Sequence, residues 1–197
     1  KGRSLDKKYI NRFPFIEHPD NIALALDVCE DIGVSKDVAI KGMRKMIPDP
    51  GALTITKVLI NKNKVDFVNA FAANDPQSTL KTWEIIYEFY KNDKKKIALF
   101  LNTRSDRRLR TQQLLDMIFS RMDIDYLIVR GDNLENEIAS RCNNIKKIKF
   151  SIFQDQDTPS QVINEISRLD NFLIVGIGNI VGWGESFIRE LKEYKDA

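Results

Sequence analysis

The sequence predicts an α/β fold with a mainly parallel sheet of about five to six strands and helices on both of its faces. Two observations support this prediction. From residue 65 onward, short apolar runs alternate with longer runs of helical period, as in successive βαβ units. The short runs are almost entirely apolar, which is typical of parallel strands that are buried on both faces. Right-handed crossovers between such strands place helices on the sheet faces, so the predicted architecture is Rossmann-like.

Each strand-like run is followed by its own helix-like run. The pairs, in chain order, are Val65–Phe71 with 76–90, Ile97–Leu101 with 107–122, Tyr126–Val129 with 134–142, Ile148–Phe153 with 158–169, and Phe172–Ile177 with a last helix to about Tyr194. Asp75 is a candidate N-cap, and Pro76 occupies the first helical turn, which proline favours. Upstream of the first pair, the run 53–60 and the polar residues 61–64 predict either a hairpin with the strand 65–71 or a strand-to-strand crossing.

The N-terminal part of the chain does not follow the alternation. Residues 19–32 have helical spacing and are followed by Gly33, and Ser35 is a candidate cap for a second helix that runs to about Met46. The segment Pro48-Asp-Pro-Gly51 then breaks the chain. We expect this part to be the end of a preceding domain or a helical cap.

Composition excludes several classes of protein. The apolar content of 43% and the charged content of 30% are ordinary for a globular domain. A net charge of +3 is too small to indicate nucleic-acid binding, which usually needs a concentrated basic face. No apolar run reaches the roughly 20 residues that span a membrane. Two distant cysteines and the single His18 do not have the spacing of a metal site, so no metal site is predicted.

The most distinctive strand-to-helix loop is the segment Asn102–Gln113. It contains four arginines and one aspartate: Arg104, Asp106, Arg107, Arg108 and Arg110. Guanidinium groups present planar forks of donors that match phosphate and carboxylate groups. Two interpretations remain open at this point. The segment is either a site for an anionic ligand or a solvated, basic first turn that pairs with carboxylates elsewhere.

Two further loops leave predicted strands at the same edge of the sheet, where α/β folds bind ligands. In the loop 69–76, Asn74 and Asp75 offer polar groups, although Asp75 is equally placed to cap the next helix. In the last loop, the glycines around Gly178 and Asn179 allow backbone N–H groups to face an anion, or allow a strand to pack tightly on a helix. The glycine spacing departs from the dinucleotide fingerprint.

Motifs of self-contained enzymes are absent from the sequence. It has no Gly-x-x-x-x-Gly-Lys-Ser/Thr phosphate loop and no Gly-x-Ser-x-Gly elbow. No nucleophile can be paired with a base from the sequence. We therefore do not expect this chain alone to be a hydrolase or an NTPase.

Several segments, in their order along the chain, resemble a known family. They are Asn21-Ile-Ala-Leu-Ala25, Gly33, Pro48-Asp-Pro-Gly-Ala52, Asn69-Ala-Phe-Ala-Ala-Asn-Asp75, Ser78-Thr-Leu80, Asn102–Gln113 and Gly176-Ile-Gly-Asn179. Together they resemble the C-terminal half of the ligase subunits of poly-γ-glutamate synthases, which are capsule-biosynthesis relatives of the Mur peptide ligases and folylpolyglutamate synthetase. The resemblance covers essentially the whole chain, and its most specific parts are the Asn-Asp-Pro and arginine segments.

The resemblance implies an ATP-dependent amide ligase that activates a carboxylate as an acyl phosphate, which glutamate then attacks to elongate poly-γ-glutamate. It implies ATP and Mg²⁺ for the full-length enzyme, membrane-embedded synthase subunits as partners, and a location at the cytoplasmic face of the bacterial membrane. Residues 1–65 would end the central ATPase domain, and residues 66–197 would form the C-terminal Rossmann-like domain. Since the family's phosphate loop lies upstream, this chain alone is expected to be inactive and to bind no cofactor through a motif of its own.

The resemblance also assigns residues. Asn21 matches the asparagine whose amide contacts adenine, whereas Ala52 stands where relatives carry a phosphate-binding arginine. Asn74 or Asp75 would replace an acid that relatives carry at the position of Phe71. The expected catalytic residues are Arg104, Asp106, Arg107 and Arg110. The expected cofactor-binding residues are Asn21, Asn74, Asp75, Asn102, Gly178 and Asn179.

A non-catalytic alternative remains open, namely a Rossmann-like module that binds an anionic ligand or a partner in a membrane complex. A third hypothesis, binding of single-stranded nucleic acid, is disfavoured by the small net charge and by the lack of clustered aromatic residues in the sequence.

Overall fold

A computed structural model describes residues 19–47, 52–144 and 148–195. The chain divides into two compact units between Thr54 and Ile55. The predicted break at 48–51 lies outside the described residues, as does His18.

The first unit contains a pair of helices, α1 (Pro19–Asp31) and α2 (Lys36–Arg44). They pack through a small apolar core, whose buried members are Ile22, Leu26, Ala39 and Ile40. Gly33 has a φ of +82°, a left-handed conformation that suits glycine at the end of a helix. Both helices were predicted from the sequence, although the Ser35 side chain makes no capping hydrogen bond.

The second unit alternates strands and helices as predicted. Its elements are β1 (Thr54–Ile60), β2 (Asn63–Asn69), α3 (Pro76–Tyr90), β3 (Lys96–Asn102), α4 (Arg108–Arg121), β4 (Tyr126–Arg130), α5 (Glu135–Asn144), β5 (Lys149–Phe153), α6 (Pro159–Ile166), β6 (Phe172–Gly178) and α7 (Trp183–Leu191). Short 3₁₀ turns precede α4 at Ser105–Arg107 and follow α7 at Lys192–Tyr194. The predicted helix 107–122 therefore begins as a 3₁₀ turn, and the last helix ends its α-helical part at Leu191.

The six strands form one mixed sheet in the order β1-β2-β6-β3-β4-β5. The ladders β2–β6, β6–β3, β3–β4 and β4–β5 are all parallel. β1 and β2 join in a hairpin through Asn61 and Lys62, whose positive φ angles of 50° and 73° are those of a tight two-residue turn. The predicted α/β fold is confirmed. The domain boundary predicted after residue 65 falls within β2, and the domain to which the first unit belongs stays a prediction.

The position of β6 creates a switch point in the sheet. The chain proceeds outward from β3 to β4 and β5, and β6 then returns to lie between β2 and β3. Helix α3 packs beside α4, whereas α6 packs beside α7 over the other face. The chain therefore leaves the neighbouring strands β3 and β6 toward opposite faces. This arrangement opens a crevice at the carboxyl ends of these two strands, where α/β folds bind ligands.

An aromatic cluster fills the face that α6 and α7 cover. Phe67, Phe71, Phe100 and Phe187 are each no more than 1% exposed, and Trp183 packs against them. A Cβ atom on Gly176 would lie 2.7 Å from the Phe67 ring and 2.8 Å from the Phe71 ring. Gly176 therefore leaves room for these two rings, which belong to β2 and to the loop after it rather than to a helix.

Candidate functional site

A small open cleft lies at the switch point. It is lined by Asn74, Asn102, Thr103, Arg104, Arg107, Arg110, Thr111, Leu114, Gly178 and Asn179. These residues come from the loops after β2, β3 and β6 and from the first turns of α4. Most of the residues that the sequence indicated as a site are therefore together. Asp75, Asp106 and Asn21 are not among the lining residues, and Asn21 is an exposed residue of α1 in the first unit.

The arginines of the cleft differ in their partners. Arg104 is bound to Asp106 through Nε, at 2.9 Å, and through Nη2, at 2.8 Å. The Nη1 atom of Arg110 donates to the side-chain oxygen of Asn74 at 3.4 Å, which is at the long limit of a hydrogen bond. Among the described residues, neither Arg107 nor Arg110 forms an ion pair with a carboxylate. Neither charge is therefore neutralised by a close ion pair, although Arg107, after Arg104, also contributes to the lowered pKa of Asp106.

The floor of the cleft joins the ends of β3 and β6. Asn102 is in register with Gly178 across the parallel ladder. The Asn102 carbonyl accepts the N–H of Asn179 at 2.8 Å, and the Asn102 amide donates to the Asn179 carbonyl at 2.6 Å. Gly178 has a φ of +96°, and a Cβ atom there would collide with the Asn102 carbonyl oxygen. Gly178 therefore permits the close approach on which the floor depends.

Asp75 caps α3. One carboxylate oxygen accepts the N–H groups of Gln77, at 3.0 Å, and Ser78, at 3.1 Å, and the other accepts the Ser78 hydroxyl. The hydrogen bond from the Ser78 side chain is the main reason that the pKa of Asp75 is lowered. Of the two interpretations given above, the structure shows the capping role. A ligand contact by Asp75 stays a prediction.

Arg130 is a residue of this region that the sequence did not indicate. It ends β4 and is 7% exposed. Its Nη1 donates to the side-chain oxygen of Asn102 at 3.2 Å, and its Nη2 donates to the Asp155 carbonyl. Its guanidinium carbon lies 4.5 Å from the centre of the Trp183 ring, as in a cation–π contact. The available signal was an arginine at the end of an apolar strand, but its partners lie at the end of β3, in the loop after β5 and at the start of α7.

Metal and membrane features are not found in the part of the chain that the structure describes. Within the described ranges, no group of three or more His, Cys, Asp or Glu side chains is arranged to hold a metal ion. The described helices are all too short or too polar to cross a membrane.

The fold is that of the C-terminal domain of Mur-type ligases. The UDP-N-acetylmuramoylalanyl-D-glutamyl-2,6-diaminopimelate–D-alanyl-D-alanyl ligase from Acinetobacter baumannii is similar over 92% of this chain and 38% of its own, with a TM-score of 0.58 and 17% identity. The murein peptide ligase Mpl from Psychrobacter arcticus is similar over 87% of this chain and 35% of its own, with a TM-score of 0.50 and 16% identity. At such identities the likeness establishes the fold.

Sequence similarity establishes the family. Residues 55–194 match the family described as the poly-gamma-glutamate synthase CapB C-terminal domain, and the chain belongs to it. The PGA synthase CapB of Bacillus subtilis is 34% identical over 95% of this chain, and the capsule biosynthesis protein CapB of Bacillus anthracis is 30% identical over 96%. The chain spans 48% and 41% of these two relatives, so it corresponds to about half of their length. The resemblance seen in the sequence is confirmed.

Proposed function

We propose that this chain is the C-terminal part of an ATP-dependent amide ligase that elongates poly-γ-glutamate, and that its cleft binds a phosphate or polycarboxylate group of the reacting species. Membership of the CapB C-terminal family supports the reaction class. The observation that carries the assignment of the cleft is the pair Arg107 and Arg110, which face the switch-point cleft without carboxylate partners among the described residues. Arginine is well suited to phosphate and carboxylate because its donors form a planar fork.

The residues of the cleft fit the anionic half of such a reaction. ATP would supply the phosphoryl group that activates a terminal carboxylate, and the amine of glutamate would then displace phosphate. Arg107 and Arg110 would bind and orient the anion and offset its growing negative charge, an effect of a few kcal/mol for each well-placed donor. Asn74 would hold Arg110 in place through the contact at 3.4 Å. The described residues do not supply a cluster suited to Mg²⁺, and we assign no step to that ion on this chain.

The remaining assignments extend the same proposal. The first unit, with Asn21, would be the end of the central ATPase domain, and the Asn21 amide would contact adenine. Asp75, Asn102, Gly178 and Asn179 would support the nucleotide side of the cleft. Glutamate and the growing polymer would be substrates, with membrane-embedded synthase subunits as partners at the cytoplasmic face of the membrane. The chain alone would neither hydrolyse ATP nor ligate glutamate, since its sequence has no phosphate loop.

The test is ATP-dependent incorporation of labelled glutamate into polymer by the full-length synthase. Arg107→Ala and Arg110→Ala are each expected to lower turnover about a hundredfold, as the loss of one preorganised donor does. Arg108→Ala is the matched control, because Arg108 neighbours both arginines in sequence but does not line the cleft. Turnover of the Arg107 and Arg110 variants equal to that of the Arg108 variant would refute the assignment. Weaker anion binding by the Arg107 and Arg110 variants, with unchanged turnover, would favour a non-catalytic binding module.

A further inference from the structure

Arg130 holds the first residues of the arginine segment from two directions. Its guanidinium donates to the side-chain oxygen of Asn102 at 3.2 Å. Its main-chain carbonyl accepts both the N–H and the hydroxyl of Thr103, each at 2.9 Å. Asn102 and Thr103 immediately precede Arg104, so one residue of β4 fixes the point from which the cleft arginines extend.

The guanidinium also selects the orientation of the Asn102 amide. Because Arg130 can only donate, it requires the oxygen of that amide to face it. The amide nitrogen then faces the Asn179 carbonyl and donates to it at 2.6 Å. If the amide were reversed, it would place its oxygen against the Asn179 carbonyl oxygen. The Arg130 side chain therefore determines a contact between β3 and β6 that it does not itself make.

The surroundings of Arg130 hold the guanidinium in this place. Its Nη1 lies 3.5 Å from a carboxylate oxygen of Asp155, and Trp183 covers one side of the guanidinium plane. The Trp183 indole is itself held by a hydrogen bond of 2.7 Å to the Asp157 carbonyl. Burial disfavours the charged form and lowers the pKa of Arg130. A buried cation whose partners come from three separate parts of the chain is a costly way to fill space if apolar packing is the only requirement.

We propose that Arg130 is a positioning residue of the cleft, which sets the Asn102 amide and thereby the geometry of the anion site. The inference rests on the proposed function for its meaning, but its structural consequence can be measured without any ligase activity. Arg130 does not line the cleft, so it acts through Asn102.

The test is a double-mutant cycle on the 197-residue chain, with inorganic pyrophosphate as the probe and calorimetry as the measurement. Arg130→Met is expected to weaken affinity about tenfold, the effect of losing one charge-assisted hydrogen bond. Asn102→Ala is expected to weaken affinity to a similar degree. The double variant should bind pyrophosphate no more weakly than the single variant with the lower affinity, because both substitutions act on one contact. The proposal would be overturned if the fold-losses in affinity of the two single variants multiplied in the double variant. It would also be overturned if the Arg130→Met chain bound pyrophosphate as tightly as wild type.

Two controls separate positioning from general destabilisation. Arg141→Met removes another arginine with two carboxylate partners, Asp116 and Glu137, away from the cleft, and is expected to leave affinity unchanged. Arg130→Lys keeps the charge but lacks the planar fork, and is expected to recover less than half of the lost affinity on a logarithmic scale. Full recovery by lysine would show that charge alone is required, which contradicts a role for the fork.

Amide hydrogen exchange distinguishes a failure of this inference from a failure of the proposed function. In the Arg130→Lys chain, the Asn179 N–H is expected to exchange at least about tenfold faster, while the N–H of Leu99 in the middle of β3 keeps its wild-type rate. This outcome supports the positioning role even if wild-type protein does not bind pyrophosphate, a result that would instead count against the proposed anion cleft. Equal acceleration at both amides, or no change at Asn179, would overturn the inference.

Discussion

Asp106 accepts two hydrogen bonds from one guanidinium, at 2.9 Å from Nε and 2.8 Å from Nη2 of Arg104. These bonds hold the pKa of Asp106 below its usual range. The next two cleft arginines, Arg107 and Arg110, have no such carboxylate among the described residues. The acid that pairs with Arg104 lies within the arginine segment itself, and the binding of an anion by this segment stays a prediction. All three arginines line the cleft, but only Arg104 is paired with an acid of the segment.

Replacement of Asp106 by asparagine should increase the affinity of the cleft for pyrophosphate. Arg104 lines the cleft and would lose its fixed negative partner, so a third positive charge would act on the anion. Because the pair is exposed, we expect a modest gain of about two- to fivefold at low salt, which declines as salt is added. Calorimetric titration of the chain with pyrophosphate at two salt concentrations measures this gain in affinity. Asp116→Asn is the control, since its partner Arg141 lies outside the cleft. A loss of affinity in the Asp106 variant would contradict this view of the pair.

Gly178→Ala should destabilise the second unit by about 2–4 kcal/mol, the sum of a strained φ and a steric collision. The φ of +96° is unfavourable for alanine, and the added Cβ would collide with the Asn102 carbonyl. Gly182→Ala separates the two causes. Gly182 has a φ of +76°, but no atom lies within 4 Å of an added Cβ. The Gly182→Ala variant should therefore lose only about 1 kcal/mol in the free energy of unfolding. Urea unfolding measures both variants, and equal losses would show that the close approach of β3 and β6 is unimportant for stability.

Asp75→Ala should cost about 1 kcal/mol at neutral pH, because the N-terminal N–H groups of α3 lose their acceptor. The pKa of Asp75 is lowered from 3.8 in the folded chain, so the ionised carboxylate is the stabilising form. Its contribution is therefore complete above the unfolded pKa and is lost as the pH falls through the lower folded pKa. The stability difference between wild type and variant, measured by urea unfolding, should shrink from pH 7 to pH 3. Glu88→Ala on the same helix removes only an exposed ion pair with Lys91 and should have little effect at either pH. A difference that does not depend on pH would exclude the cap as its origin.

Local patterns were sufficient to predict most of the fold. Buried strands such as β3 are apolar nearly throughout, and helices such as α3 have a cap and a proline at their start. The arginine segment could be placed at a ligand-binding edge because a strand-to-helix loop of an α/β fold lies there. These features depend only on residues that are close in sequence, so they can be predicted from a single sequence.

The rest depends on contacts between residues distant in sequence. Nothing local indicates that β6 lies between β2 and β3, yet that order brings Gly178 beside Asn102. Arg130 was missed for the same reason. Its contacts with Asn102, Asp155 and Trp183 join β4 to the end of β3, to the loop after β5 and to the start of α7. A single arginine after an apolar run is otherwise expected to reach solvent.

Phe187→Ala should be the most damaging single change in the aromatic cluster, with a loss of about 3–5 kcal/mol in the free energy of unfolding. The Phe187 ring is fully buried, and its centre lies 5.4 Å from that of Phe67, 5.0 Å from that of Phe100 and 5.5 Å from that of Trp183. Phe150→Ala on the edge strand β5 is the control, because that side chain is already 37% exposed, and we expect a loss below about 1 kcal/mol.

The same variant should also lower the affinity of the cleft for pyrophosphate, since Trp183 contacts both the Phe187 ring and the Arg130 guanidinium. A cavity beside Trp183 would let the indole move and release Arg130 from its place. Urea unfolding followed by tryptophan fluorescence, together with pyrophosphate titration of the folded variant, measures both effects. Loss of stability with unchanged affinity would show that the cluster supports the fold without influencing the cleft, and an unchanged stability would contradict the packing role itself.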